Sequence, residues 1–440
     1  MPHHGDTSYL DGLRGWAAVL VYWHHYETWG HRSAINILER SYGYRERYHL
    51  ITLPWIRILF NGGHYATATF FVISGYVVSL RPLALIETHR HEQLTYYLSA
   101  TIVRRWMRLY LPVACTTFLY LTSWHVFGLR IRWAQPQSSY VDEVRMWFAE
   151  MMDYSFPFGR VGTSWLTYND HLWSILVEFK GSLVNYNMLL ILSRSSRRAR
   201  VGCQLLLVAY FMYAVRDGWY LSFFMAGMLL SEVELWLKTQ HMATLSHINI
   251  VFFSLMLLLS IYLGGVPHCA NIACIQDNPG WSMLSFFTPS IDLAYDPKWH
   301  YLLPAAVLLV FSVKRIPWLK RLLESPFSQY LGRISYGLYL VHGPVMRICA
   351  DTLFAVVGWS ERGPVAHSYL EQIVNFLPLP KKGPLGLEMA FLAPQLLLMP
   401  LTLVLANMVT WAVENPIMKS SGWLYQVTLA MPDGTGGKSE

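Results

Sequence analysis

A chain of 440 residues that is 54% hydrophobic and only 14% charged is too apolar for an ordinary soluble protein; its mean hydropathy of +0.29 indicates a polytopic membrane protein. The net charge of +7 calls for no nucleic acid. Most short Lys/Arg clusters fall between apolar segments, where they set topology or meet anionic lipid headgroups, and the 18 Trp and 27 Tyr suit the membrane interfaces.

The first predicted element is a helix over Leu10 to Gly30, LDGLRGWAAVLVYWHHYETWG, which carries charge where charge is expensive. Arg14 and His25 are eleven residues apart. That is almost three turns, so the two side chains share a face and stand roughly 16 Å apart along the axis. In a bilayer core about 30 Å thick, the guanidinium lies at one surface and the imidazole deep inside. An uncharged His25 can act as general base or nucleophile; His24 points about 100° away, and Glu27 is off His25's face. Met1 to Asp11 has no basic n-region, so the helix is expected to remain uncleaved.

Ten candidate spans follow the hydropathy, near 13-29, 62-81, 106-126, 171-192, 201-215, 218-237, 247-265, 299-313, 334-357 and 387-413. The expected fold is an all-α polytopic bundle with both termini cytoplasmic, because Arg194, Arg197, Arg198 and Arg200, then Lys314, Arg315, Lys320 and Arg321, fall in loops on the N-terminal side. Span two, GGHYATATFFVISGYVV, is rich in small residues that allow close packing. Ser74-Gly75 lacks the G-x-S-x-G elbow, which argues against a serine nucleophile. At the mouth of span three Arg104, Arg105 and Arg108 precede Pro112. Arg105 and Arg108 face one way and, with Arg14, can clamp the phosphates of a nucleotide-like donor, although arginines at a helix mouth are commonly topology signals.

Val144, Trp147, Phe148, Met151 and Met152 recur at helical spacing and predict an amphipathic helix, either packed as a loop helix or lying on the membrane. Span four places His171, Ser174 and Glu178 in one polar stripe, and a carboxylate inside an apolar run needs a cationic or imidazole partner. Cys269 and Cys274 form either a small disulfide or two free thiols. Span nine aligns Ser335, Tyr339 and His342, which line a cavity or bond between helices. No P-loop, GxGxxG or HExxH is present, and no metal is expected. A secondary transporter also uses intramembrane Arg, His and Glu, but it predicts inverted repeats that the sequence does not display. The chain is expected to form one membrane domain over 1-423, with a disordered tail over 424-440.

YLDGLRGWAAVLVYWHH resembles the opening helix of the acyltransferase 3 family of integral membrane acyltransferases. FFVISGYVV, RRWMRLYLP, LWSILVEF, ISYGLYLVHGPV and VENP follow in the family's order and extend the resemblance over nearly the whole chain. The resemblance implies transfer of an acyl group, commonly acetyl, from acyl-CoA as co-substrate, with no permanently bound cofactor, to a hydroxyl of a sugar, lipid or small metabolite. It implies that His25 is catalytic with Arg14 as its partner, that Glu178 is the acidic position, and that Arg105 and Arg108 serve the donor. After Glu178 the chain continues FKGSLV, which resembles the fungal branch and favours a secondary metabolite over a cell-surface glycan or lipid as acceptor. An endomembrane, the endoplasmic reticulum above all, or the plasma membrane is the expected location.

Overall fold

The structure, a computed structural model, describes residues 7–32, 35–128, 136–158, 165–239, 247–288, 296–359 and 373–428. Among these the only β pairing is one isolated bridge, Leu166 to Asn169. The principal helices are α1 (Ser8–Gly30), α2 (Gly63–Glu87), α3 (His91–Phe127), α4 (Tyr140–Ser155), α5 (Trp173–Ile191), α6 (Arg197–Tyr213) and α7 (Trp219–Thr239). They continue with α8 (His247–Gly264), α9 (Trp299–Val313), α10 (Pro317–Leu323) and α11 (Pro326–Val345), which runs through a π turn, Met346–Ala350, into α12 (Asp351–Val357). α13 (Gln395–Val409) likewise passes through a π turn, Thr410–Glu414, into α14 (Asn415–Thr428).

Each of the ten expected spans overlaps a helix, but the helices do not bear out ten crossings. Among the described residues five segments are long and apolar enough to cross a membrane: Gly63–Glu87, Asp170–Arg194, Trp219–Thr239, Pro326–Val357 and Met389–Trp423. α9 and α10, bent by 94° at their break, make a sixth if they form one span. α14 reaches Thr428, and residues 429–440 of the expected tail lie outside the described residues.

α1 is held between α2 and α11 by glycines on both sides. A Cβ on Gly12 would stand 2.0 Å from the Leu323 carbonyl oxygen, one on Gly15 2.5 Å from the Gly332 nitrogen, and one on Gly332 2.3 Å from the Asp11 oxygen. The two backbones are in contact. Across α2 the same device operates, since a Cβ on Gly75 would meet the Phe224 oxygen at 2.2 Å and one on Gly227 the Val72 oxygen at 2.3 Å. The small residues of span two therefore serve close packing against α7. Tyr9, Leu10 and Leu13 of α1 join a core shared with α2, α7 and α9, whereas Ala18, Tyr22 and Tyr26 join one shared with α11 and α13.

α4 packs by one edge, with Met151 buried, the Trp147 Nε1 donating to Thr117 Oγ1 at 2.9 Å and the Tyr154 hydroxyl to the Leu172 oxygen at 2.6 Å. Its Phe148 and Met152 remain exposed. Cys269 and Cys274 are bonded to one another, and the Arg40 guanidinium lies against both sulfurs.

The C-terminal end of α1 is clasped by His31, which is fully buried. Its Nδ1 lies 3.4 Å from Glu27 Oε2 and its Nε2 3.1 Å from Glu388 Oε2. Burial disfavours the imidazolium, but the hydrogen bonds and charges of the two carboxylates outweigh burial and raise the pKa above 6.5. A raised folded-state pKa contributes stability that is fully present below the unfolded value of about 6.5 and is lost as pH rises through the folded value. The melting midpoint of the wild-type protein in one fixed detergent is expected to fall across that window, and that of His31→Gln to stay flat; parallel curves would refute the clasp.

Candidate active site

Two polar layers lie along α1. At its C-terminal half, His25 meets His171 and His342, with ring centroids 4.0 and 5.3 Å away, and the latter two stand 5.1 Å apart. α11 runs parallel to α1, so that Gly332 lies beside Gly15 and, further along both helices, His342 lies level with His25. Gly343 permits the approach, because a Cβ there would lie 2.5 Å from His171 Cδ2. His171 precedes α5 in a short 3₁₀ turn whose cap, Asn169, accepts from the His171 N–H at 3.3 Å and donates to the Leu340 oxygen at 3.0 Å. Ser174 Oγ and the Tyr339 hydroxyl are 2.7 Å apart, and the hydroxyl donates to the His171 carbonyl. His171 with Ser174 and His342 with Tyr339, from the stripes read in spans four and nine, thus converge beside His25, while Glu178 does not. Ser335 does not join them, since its hydroxyl bonds the Gly332 oxygen of its own helix.

The hydrogen bonds define how these imidazoles are used. His342 Nδ1 lies 2.8 Å from the Tyr339 oxygen and 3.2 Å from that of Leu338, so its proton sits on Nδ1. Its buried Nε2, the acceptor in that tautomer, has no partner among the described residues. The His25 ring is half-buried and touches other imidazoles rather than any described hydrogen-bonding group. A reagent can therefore reach it. One ring nitrogen from each of the three histidines lies within 4.8 Å of the others, a donor set that also suits a tetrahedral d-block ion with one position left for a ligand. No local spacing signals this cluster, because its members come from three distant segments.

The second layer surrounds Arg14. Glu178 accepts from both Arg105 and Ser74, and Arg105 also lies 3.3 Å from Ser74 Oγ. The carboxylate is therefore placed with the arginines, not with His25. Arg14 stands 3.7 Å from Asp11 and interacts electrostatically with Arg108, Glu178 and Glu414. Arg14 and Arg108 are like charges sharing one locality, which an anion would stabilise.

Sequence reasoning missed three participants. Arg347 pairs with Asp170 and acts electrostatically on His25 and His171. Glu414, the acid of VENP, faces Arg14 and Arg108. Both Arg347 and Glu414 sit in π turns, whose displaced register an α-helical periodicity does not reveal. His24 takes the other direction, as its angle predicted. It lies against Gly63 and 5.2 Å from the His64 ring, and His64 Nε2 is in turn 3.1 Å from Lys298 Nζ.

A family model described as an acyltransferase domain matches residues 7–410. The chain belongs to the acyltransferase 3 family. An O-acetyltransferase from Phomopsis amygdali, PaAT-1, is 27% identical over 98% of this chain and 87% of its own length. The acyltransferase clz18 from Cochliobolus lunatus is 24% identical, with 81% of this chain and 86% of its own covered. No solved structure matches significantly. Membership of the acyltransferase 3 family makes the polar interior of this helical bundle the place to seek acyl transfer, and the two layers on α1 are where its charged and basic groups collect.

The Arg105–Glu178 pair is largely buried, its side chains 16% and 15% exposed. Arg105→Met or Glu178→Leu alone strands the other charge and is expected to cost about 3–5 kcal/mol in unfolding experiments in detergent. The double variant should recover more than half of that loss. Additive losses would show that the two groups are not coupled.

Proposed function

We propose that this acyltransferase moves an acyl group, acetyl in the first instance, from acyl-CoA to a hydroxyl of a small metabolite, with His25 as the base. The observation that carries the reading is the single helix face that sets Arg14 beside Arg108 and, roughly 16 Å further on, His25 among imidazoles. A CoA diphosphate at Arg14 and Arg108 leaves the pantetheine arm to span that interval and deliver the thioester to His25. The relative named an O-acetyltransferase supports both the acyl group and the oxygen acceptor.

In this scheme the acceptor O–H gives its proton to the free nitrogen of His25 as its oxygen attacks the thioester carbonyl. The C–O bond forms, the C–S bond breaks, and the departing thiolate takes the proton back from the imidazolium. Ester and free CoA leave without net proton release. His342, His171 and Tyr339 hold the ring and orient the acceptor, and the Asp170–Arg347 pair anchors the His171 turn. Attack by His25 itself, with transient acylation of the ring, uses the same geometry and also balances. The scheme needs no metal, so a chelator leaves turnover unchanged.

The Cys269–Cys274 disulfide supports an orientation as well. Disulfides persist in oxidising compartments, so the loop that carries it faces a lumen or the exterior, and the Arg14 end faces the CoA-containing cytosol. An endomembrane such as the endoplasmic reticulum fits.

The deciding measurement is acceptor-dependent CoA release from labelled acetyl-CoA by membranes holding equal amounts of each variant. Loss of a general base predicts a fall of about 10²–10⁴-fold for His25→Ala. Equal turnover would remove His25 from the mechanism. Labelled product in a glycan or lipid fraction would reassign the acceptor, and substrate uptake without CoA release would replace the reading with transport.

A further inference from the structure

We propose a subsite for the 3′-phosphoadenosine end of CoA in the cleft between the Arg14-side ends of α2 and α3. The proposal rests on the acyl-CoA reading above and names where the far end of that donor binds. The cleft has a volume of about 470 Å³ and is lined by Arg81, Arg104, Tyr96, Tyr97, Glu92 and Gln93.

Helix geometry joins this cleft to the arginine layer. Ser74, which bonds the Arg105–Glu178 pair, and Arg81 are seven residues apart on α2, so they share a face about 10 Å apart along the axis. On α3, Tyr97, Arg104 and Arg108 follow at intervals of seven and four and form one stripe about 16 Å long. Both stripes lead away from His25. A ligand whose thioester lies at His25 and whose diphosphate lies at Arg14 and Arg108 therefore runs its remaining end into this cleft.

The lining has the chemistry for that end. Arg81 and Arg104 are exposed guanidinium groups, suited to a phosphate monoester. Arg81 pairs with no carboxylate among the described residues; its guanidinium carbon stands 4.7 Å from the centre of the Tyr97 ring. Tyr96 is 53% exposed and offers a ring face on which a purine stacks. Glu92 and Gln93 present oxygens that can accept from the adenine amine. An anionic lipid headgroup offers the same phosphate chemistry, but it has no use for the stacking surface or for acceptors placed beside it.

The test compares CoA, 3′-dephospho-CoA and 4′-phosphopantetheine for binding to the full chain in phosphatidylcholine nanodiscs. Wild type is expected to bind CoA at least tenfold more tightly than dephospho-CoA. Arg81→Gln should weaken CoA about tenfold, to the level of dephospho-CoA, while leaving dephospho-CoA within twofold; Arg104→Gln should act in the same direction. Equal binding of CoA and dephospho-CoA by wild type, or an equal loss of both in Arg81→Gln, overturns the subsite while leaving the donor reading intact. Failure of all three ligands to bind overturns the donor reading itself. Phosphatidylserine in the nanodiscs that abolishes the discrimination reassigns the cleft to lipid headgroups. Both arginines are at the surface, and unchanged melting midpoints of the variants separate a binding effect from misfolding.

Discussion

The close approach of α1 to α11 is the constraint on which the site depends. Gly15 and Gly332 let two backbones touch where any larger side chain would push them apart. That contact fixes the height of α11 against α1, and with it the meeting of His342 and His25. Removing the glycines would leave the same residues on the same helices without the cluster. Between tightly packed segments van der Waals contact is the main attractive term available in lipid, so small residues here contribute affinity as well as access.

Polar groups inside an apolar bundle must be satisfied, and the chain does this in discrete units. Arg105 and Ser74 both donate to Glu178, Arg347 pairs with Asp170, and His31 lies between Glu27 and Glu388. Among the described residues His342 Nε2 has no partner and the His25 ring lies against other imidazoles, while Arg14 and Arg108 share a locality with acids but crowd one another. These are the positions where an incoming thioester, hydroxyl or phosphate would find interactions not already taken up by the protein.

Much of this was legible in the sequence because it depends on local periodicity. Arg14 and His25 share a face by spacing alone, and the polar stripes of His171 with Ser174 and of Tyr339 with His342 each point one way on their own helix. Their convergence was not legible, since it depends on which helices pack together and at what height. Glu178 shows the limit well: a buried carboxylate was known to need a cation or an imidazole, but spacing could not choose Arg105 over His25. The family resemblance supplied the order of the motifs and the chemistry they serve. It did not supply the Asp170–Arg347 pair or the role of Glu414, because both depend on departures from regular α-helix.

The two π turns give those departures a consequence for comparing relatives. Each acts as one extra residue in an otherwise regular helix, which rotates everything beyond it by about 100° relative to an uninterrupted α-helix. Loss of one residue near Met346–Ala350 would leave the length and hydropathy of the segment almost untouched, yet would swing Asp351, just beyond the turn, out of phase with Trp29, whose Nε1 donates to its carboxylate. A hydropathy profile is blind to such a change. Two chains with matching spans and matching motifs can therefore differ in whether their charged residues are in phase, and residue counts between His342 and Gly358, and between Thr402 and Asn415, separate the two cases.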